Sequence, residues 1–433
     1  MTARHSWNWS PRILTAALLL LAGCASEDKD EQSLPEPPGE LVASDKQRAP
    51  SPNVPAEDVA AVVAGNTDFG AALYRQSTRP GENFFFSPYS ITQAFAMTYA
   101  GARGNTEAQM AQALRFVSQD RFHPALNALD LALQDRAEHP KGKGAPPTLR
   151  VVNALWGQKG RTFEPAFLDT LAVNYGAGMR VVDFSTESES IRSRINDWVK
   201  ERTEGRIQGL LPEGSVRPDT RLVMANALYF KGAWAVPFND SGTHGAPFRR
   251  LDGSEQQVQM MAGADGFFPY GKGDGYEAVA LPYAGQSFRM LLVIPDSGRF
   301  TEVESRLSAS FLSEVRSKLE TDRLFLQMPK FRVETEFSLV ERLNALGLVD
   351  AFTDAADLSG MTKEEALLIT AAQHKAFVAV DEKGTEAAAA TAVVSGPASM
   401  PPELVVDRPF LFLIEDVDTQ AVLFLGRIVN PGS

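Results

Sequence analysis

The stretch Asp381-Glu382-Lys383-Gly384-Thr385-Glu386-Ala387-Ala388-Ala389-Ala390-Thr391-Ala392-Val393-Val394-Ser395-Gly396-Pro397-Ala398-Ser399-Met400-Pro401-Pro402 lies between two strand-like runs, 376–380 and 403–406. After Glu386 it consists mostly of small residues. Such a composition suits a flexible Ala/Gly/Pro linker or, through its four alanines, a marginal helix. It also suits a segment that slides between two existing strands without steric conflict. As a strand, it would place Thr385, Ala387, Ala389 and Thr391 on one face, with Val393 and Ser395 continuing the register. An exposed loop able to become a central strand is a stored conformational change.

The flanks supply the sheet. Further strand-like runs fall at 149–156, 221–230, 277–281, 288–294, 324–333, 367–380, 410–414 and 421–429. The short run Asn83-Phe84-Phe85-Phe86 is cut off by Pro88 and reads as a buried strand end. Apolar residues recur at helical spacing over 59–76, 91–99, 107–114 and 125–137. Thr186 and Glu189 have the spacing of a capping box ahead of Ile191, Ile195, Trp198 and Val199. Helices come mainly first and strands dominate the second half, which predicts an α+β fold rather than alternating βαβ units. No internal repeat or linker divides the stretch 59–433, which reads as one domain.

Composition narrows the function. The chain has 433 residues, 44% of them apolar, and a net charge of −12, so an electrostatic grip on nucleic acid is not expected. Its single cysteine excludes an internal disulfide framework and a Cys-rich zinc site, and five scattered histidines leave little for a His-based metal cluster. There is no Gly-x-Ser-x-Gly elbow, no His-Glu-x-x-His and no phosphate loop. Gly271-Lys272-Gly273-Asp274-Gly275 has the wrong spacing for a dinucleotide site and reads as a turn between strands, and Lys141 and Lys143 read as a solvated loop. Nothing in the sequence points to an enzyme.

The N-terminus is an export signal. Arg4 and Arg12 precede the apolar run 13–21, which is short for a bilayer span, and Ala22, Gly23 and Cys24 follow. Leu21-Ala22-Gly23-Cys24 resembles a bacterial lipobox, which implies removal of 1–23 and lipid attachment at Cys24. Several acyl chains on one residue would anchor the chain firmly. Residues 25–58 contain six prolines and a net charge of about −6, with few large apolar groups. The expectation is a disordered tether over 24–58, spanning on the order of 30–35 Å as a flexible coil.

Taken together, the motifs resemble those of the serpin family over 59–430. The hinge from Glu382 to Thr391 is the family's most diagnostic stretch. Asn226-Ala227-Leu228-Tyr229-Phe230-Lys231-Gly232-Ala233-Trp234, with Pro237-Phe238, matches a second signature, and Asn83-Phe84-Phe85-Phe86-Ser87-Pro88-Tyr89-Ser90-Ile91 a third. Asp407-Arg408-Pro409-Phe410, Pro329-Lys330-Phe331 and Phe424-Leu425-Gly426-Arg427 also fit. Tyr89 departs from the smaller aliphatic that is commoner at its position.

The resemblance implies three β-sheets, eight or nine helices and an exposed reactive loop. Serpin loop insertion is itself a named instance of stored strain in general accounts of conformational switching. A target serine protease attacks the loop as substrate and forms an acyl-enzyme, and the freed loop inserts into the main sheet and distorts the protease. Small residues from Ala387 through Ala390 and Thr391, with an uncharged Thr385, imply the inhibitory type. Counting from Glu382 as first makes Ala398 the seventeenth residue and Ala398–Ser399 the reactive bond. Alanine there suits an elastase-like or subtilisin-like pocket better than a trypsin-like or chymotrypsin-like one.

The resemblance further assigns Ser87, Ser90, Asn226 and His374 to the polar cluster behind the strands that part. It assigns Lys330, Glu382 and Trp234 to the point where insertion begins. No cofactor is implied, and a monomer is expected. Partners are a serine protease and, through Cys24, a membrane. Ala25 after the cysteine, where Asp is absent, is compatible with outer-membrane sorting in a Gram-negative source, on a periplasmic or exposed face. Two alternatives stand beside inhibition: a serpin-fold protein that only binds at the cell envelope, and a lipid-anchored hydrolase with an unrecognised site.

Overall fold

The computed structural model describes residues 35–364, 366–386 and 401–432. A short strand β1 (Glu40–Val42) precedes helix α1 (Ala56–Ser77), and the triple-Phe strand β2 (Phe84–Phe86) precedes α2 (Pro88–Tyr99). Ser87 caps α2 by accepting the Ser90 N–H, and Pro88 occupies the first turn, where its missing N–H costs nothing. Every residue of α2 is buried, because it runs beneath a sheet. Helices α3 (Gly104–Leu114) and α4 (Gln119–Glu138) follow, then strand β3 (Thr148–Gln158), α5 (Pro165–Tyr175) and β4 (Met179–Val182).

Helix α6 (Phe184–Arg202) corrects the capping box expected from Thr186 and Glu189. The cap is Asp183, which accepts from the Ser185 N–H and from the Thr186 hydroxyl. Glu189 instead grips Arg192 one turn on, and Glu187 departs from helical geometry with φ −127°. An aspartate at the true boundary outcompetes a threonine inside it, since a carboxylate is the stronger acceptor for orphan N–H groups.

The second half is strand-rich. It comprises β5 (Leu222–Ala233), β6 (His244–Arg249), β7 (Glu255–Gly273), β8 (Tyr276–Pro282) and β9 (Phe288–Pro295). Helices α7 (Phe300–Ser305) and α8 (Ala309–Ser317) intervene before β10 (Glu320–Pro329) and β11 (Phe331–Ser338). Helix α9 (Leu339–Ala345) leads to β12 (Ala371–Asp381) and the two-residue β13 (Gly384–Thr385). Strands β14 (Glu403–Val405), β15 (Phe410–Asp416) and β16 (Val422–Ile428) close the chain. The single strand expected over 324–333 is two strands, because the chain changes sheets at Lys330.

Seven strands form the main sheet in the order β1-β4-β3-β5-β13-β12-β11. The other nine are joined by hydrogen bonds along β14-β10-β7-β8-β9-β15-β16-β2, with β6 beside β7. The nineteen-residue β7 runs through both a small sheet (β6, β7, β10, β14) and a larger one, so three sheets share two hydrogen-bonded networks. The glycine-rich stretch 271–275 is a hairpin turn, as expected, with Gly273 opposite Tyr276. Strands β15 and β16 are buried throughout, while β12 alternates buried and half-buried positions as a one-faced strand should. Phe85 stacks on Phe412 and Phe424, at 5.6 and 5.0 Å between ring centroids, tying β2 into the core. Nine α-helices lie among the described residues, none of them long and apolar enough to cross a membrane.

The tether expected over 24–58 is corrected from residue 35 onward: the compact unit runs Pro35–Ser433. Few apolar groups are buried there. Polar attachment to the domain takes their place, with the Trp198 and Trp156 indole N–H groups donating to Pro35 O and Pro38 O at 3.0 and 2.8 Å. Proline lacks a donor but keeps its carbonyl acceptor, so a Pro-rich segment can be held by donors from elsewhere. Cys24 lies outside the described residues.

Candidate functional site

The site is the seam between β5 and β12. At one end the two strands pair directly and in parallel, 371–374 against 223–226. At the other end they part, and β13 occupies the gap. Thr385 stands opposite Val380 and Gly232, and Gly384 opposite Asp381 and Ala233. The hinge thus begins as a strand already seated in the main sheet.

The turn into that strand follows from its sequence. The Asp381 carboxylate accepts the N–H groups of Lys383 and Gly384, and Gly384 adopts φ +152°, which favours glycine. Gly232 opposite is equally required, because a Cβ there would meet the Tyr283 ring at 2.9 Å. Trp234 holds the turn twice, donating its backbone N–H to Lys383 O at 2.8 Å and its indole N–H to Asp381 O at 3.0 Å. Its ring stacks on Tyr283 at 4.7 Å, and the buried Tyr283 hydroxyl bonds the Thr385 hydroxyl at 2.7 Å. Trp234, which the resemblance assigned to the start of insertion, is packed against the turn that leads into β13, and Tyr283 is a partner the sequence reading missed.

Glu382 is paired with Lys330 at 2.6 Å and also accepts from the Thr243 hydroxyl. Burial pushes its carboxyl up, but the Lys330 ammonium and Thr243 outweigh this and hold it below the usual range. The Lys330 side chain is 39% exposed and that of Glu382 only 8%, so the pair is half-buried, where the sequence reading had it near the surface.

Glu386, the last described hinge residue, leaves the strand in the left-handed region at φ +54°. Its N–H reaches Ala379 O at 3.1 Å, and its buried carboxylate lies 3.2 Å from Arg206. Burial raises its pKa. The hinge residues Ala387, Ala388, Ala389, Ala390 and Thr391 and the bond Ala398–Ser399 lie outside the described residues.

Below the pairing end sits the polar cluster. His374 is fully buried, with its Nδ1 2.8 Å from Asn226 Oδ1 and its Nε2 3.2 Å from the Ser87 N–H. Nδ1 therefore carries the proton and Nε2 accepts. Burial pushes His374 from its ordinary 6.5 down to about 3. Ser90 Oγ donates to Asn226 Oδ1 at 2.8 Å, and the Asn226 amide donates to Ser90 O and to Asn153 Oδ1. Ser87 Oγ accepts the Ser90 N–H and donates to Leu423 O. The four expected residues converge. Asn153 was missed, although a polar residue inside the apolar run 149–156 was its visible signal.

These features define a main sheet whose strands β5 and β12 pair directly at one end and are parted by β13 at the other. A serpin (serine protease inhibitor) family model matches residues 64–431, and the chain belongs to the serpin family. By class it is a protease inhibitor and not an enzyme. It is 39% identical over 380 residues to the leukocyte elastase inhibitor of Sus scrofa, covering 85% of this chain and 99% of the relative. It is 35% identical over 382 residues to antithrombin-III of Mus musculus, covering 84% and 81%. The fold matches the thermophilic serpin tengpin in its native state with a TM-score of 0.77, at 26% identity, over 90% of this chain and 99% of that one, and uncleaved ovalbumin with a TM-score of 0.76, at 29% identity, over 86% and 100%.

Proposed function

We propose that the chain is a suicide-substrate inhibitor whose loop is cut at Ala398–Ser399 by an elastase-like or subtilisin-like serine protease. The protease's serine oxygen forms an ester with the Ala398 carbonyl carbon, and Ser399 leaves as the new amine. Water then competes with loop insertion for that ester. Insertion wins because Gly384 and Thr385 already sit between β5 and β12, and the residues that follow Glu386 are small. The observation that carries this reading is the seated β13 at the mouth of a seam that is still closed by direct pairing at 371–374. The likeness to a protein named leukocyte elastase inhibitor supports the small pocket.

The test is a denaturing gel of the protein mixed with an elastase. A band at the summed mass and a fragment beginning at Ser399 are expected; cleavage without that band would demote the chain to a substrate. The inhibitor is exported and held on a bacterial cell envelope by lipid at Cys24, acting as a monomer. Replacing Cys24→Ala should move it from the membrane to the soluble fraction, and retention at the membrane would refute the anchor.

A further inference from the structure

Residues 35–49 form a strap across one end of the main sheet, and it joins two parts of the molecule that loop insertion must move apart. Its first half belongs to the sheet. Strand β1 pairs antiparallel with β4, Glu40 opposite Val181 and Val42 opposite Met179. Trp156 of β3 and Trp198 of α6 bind the carbonyls of Pro38 and Pro35, and Arg180 of β4 binds Gly39 O and Glu36. The fit is close, since a Cβ on Gly178 would meet Ala43 Cβ and Val42 O, each at 2.7 Å.

Its second half belongs to the helices beneath. Arg48 donates to Asn127 Oδ1 at 2.8 Å and to Asp130 Oδ2 at 2.6 Å, both on α4, and Asn127 returns a bond to Ala49 O at 3.0 Å. Asp130 is in turn fixed from α2 by the Tyr89 hydroxyl at 2.9 Å. Helix α4 packs chiefly on α1 and α5, and more lightly on α2 and on β3, so its main anchorage is the helical layer.

Seating a further strand between β5 and β12 widens their spacing by about 4.8 Å. Strands β3 and β4 are hydrogen-bonded in series to the far side of β5, and α6 packs on β3, so these elements must shift with it. A hydrogen bond does not survive a displacement of that size. One half of the strap must let go. The slip plane is loosely filled there: a cavity of about 610 Å³ is lined by strap residues, Met97 of α2, and Asn153 and Ala154 of β3. Asn153 is also the polar partner of Asn226 in the cluster that must part.

We infer that the strap is a brake on sheet opening, holding the uncleaved protein in its poised state until protease attack. This inference rests on the insertion reading, and its test separates the two. The full-length protein and the variants Arg48→Ala and Trp198→Phe are incubated at a fixed elevated temperature, alongside Leu41→Ser as a control at an exposed strap position. Samples are assayed over time for complex formation with an elastase and for uncleaved, heat-stable protein. Arg48→Ala should shorten the active lifetime about tenfold, the loss expected for a charge-assisted bond. Trp198→Phe, which removes only one N–H donor while keeping an aromatic ring, should shorten it about threefold. In both, the lost activity should reappear as heat-stable protein, with Leu41→Ser unchanged. Unchanged lifetimes at both ends, or loss of activity without the heat-stable product, would overturn the brake. Wild-type protein that gains no thermal stability when its loop is cut would overturn the insertion reading instead.

Discussion

Thr385→Arg tests the seam at its narrowest point. Thr385 is 1% exposed, flanked by Gly232 and Val380 on neighbouring strands and bonded to Tyr283. An arginine there loses that hydroxyl pair, worth about 1 kcal/mol. It also carries a guanidinium into a space walled by the Tyr283 and Trp234 rings, with an effective desolvation penalty of several kcal/mol. That cost would expel the arginine and unseat β13 in the uncleaved protein, so insertion must carry it back into the seam, and a combined penalty of about 4 kcal/mol on that step slows it roughly 1,000-fold. Acyl-enzyme hydrolysis is untouched by the change, so the partition should move from trapped complex to cleaved product. The assay is titration of an elastase with wild type and variant, read as covalent complex on a denaturing gel and as inhibitor consumed per protease inactivated. Thr385→Ser keeps the hydroxyl and should behave as wild type, and Thr385→Val should trap with a small loss. Arginine at this position forming covalent complex in wild-type yield would refute the reasoning, because a charge would then be passing through the seam without cost.

Acid should loosen the seam. His374 and His123 are both held near 3 in the folded protein against an ordinary 6.5, so the unfolded chain binds more protons than the native one between those values. Stability is therefore full above pH 6.5 and falls as pH drops, by about 1.4 kcal/mol per pH unit for each histidine. Denaturant unfolding between pH 6.5 and 5 should show that slope halved in His374→Asn, and an unchanged slope would mean that His374 is not the neutral acceptor described. Lys330→Met should leave the Glu382 carboxylate without its cation and cost about 1–2 kcal/mol, a figure kept low because Lys330 is partly exposed. Thermal unfolding checks it, with Glu382→Gln in the same background expected to recover part of the loss. Phe85→Ala should cost about 3–5 kcal/mol by emptying the stack with Phe412 and Phe424, measured by denaturant midpoint.

The elements legible in the sequence were those whose signal is local. The apolar runs of β5, β9, β15 and β16 and the periodicity of α1 and α4 declared themselves because burial on a regular element leaves a period. β7 did not: its nineteen residues pass between two sheets, and the alternation of Gln257, Val258, Gln259 and Met260 is lost in the consecutive buried residues Met260, Met261 and Ala262. The strap was misread for a related reason. Its attachment is made by donors lying more than a hundred residues away, Trp156 and Trp198, and a segment held by another element's donors looks unfoldable when read alone. At the site, residue types drawn from the family resemblance converged as expected, whereas Tyr283, Thr243 and Asn153 gained their roles from tertiary contacts.

Why the strand stops after Thr385 follows from the residue beside it. A strand that continued would need Glu386 extended, yet its φ of +54° is costly for a residue with a Cβ. Its carboxylate faces Arg206, and nearby Tyr229 donates to Glu204 at 2.9 Å. Insertion must therefore turn one backbone angle and break one buried ion pair before any alanine can enter. The ion pair holds the seated hinge back, while the left-handed angle stores strain that extension releases, and both lie on Glu386. Glu386→Ala removes the ion pair and leaves the backbone strain, while Glu386→Gly removes both. Insertion should therefore quicken from wild type to Ala and run more slowly in Gly than in Ala, measured as the rate of gain in thermal stability after loop cleavage. An equal rate for Ala and Gly would mean that the left-handed angle stores nothing, and that the arrest depends on Arg206 alone.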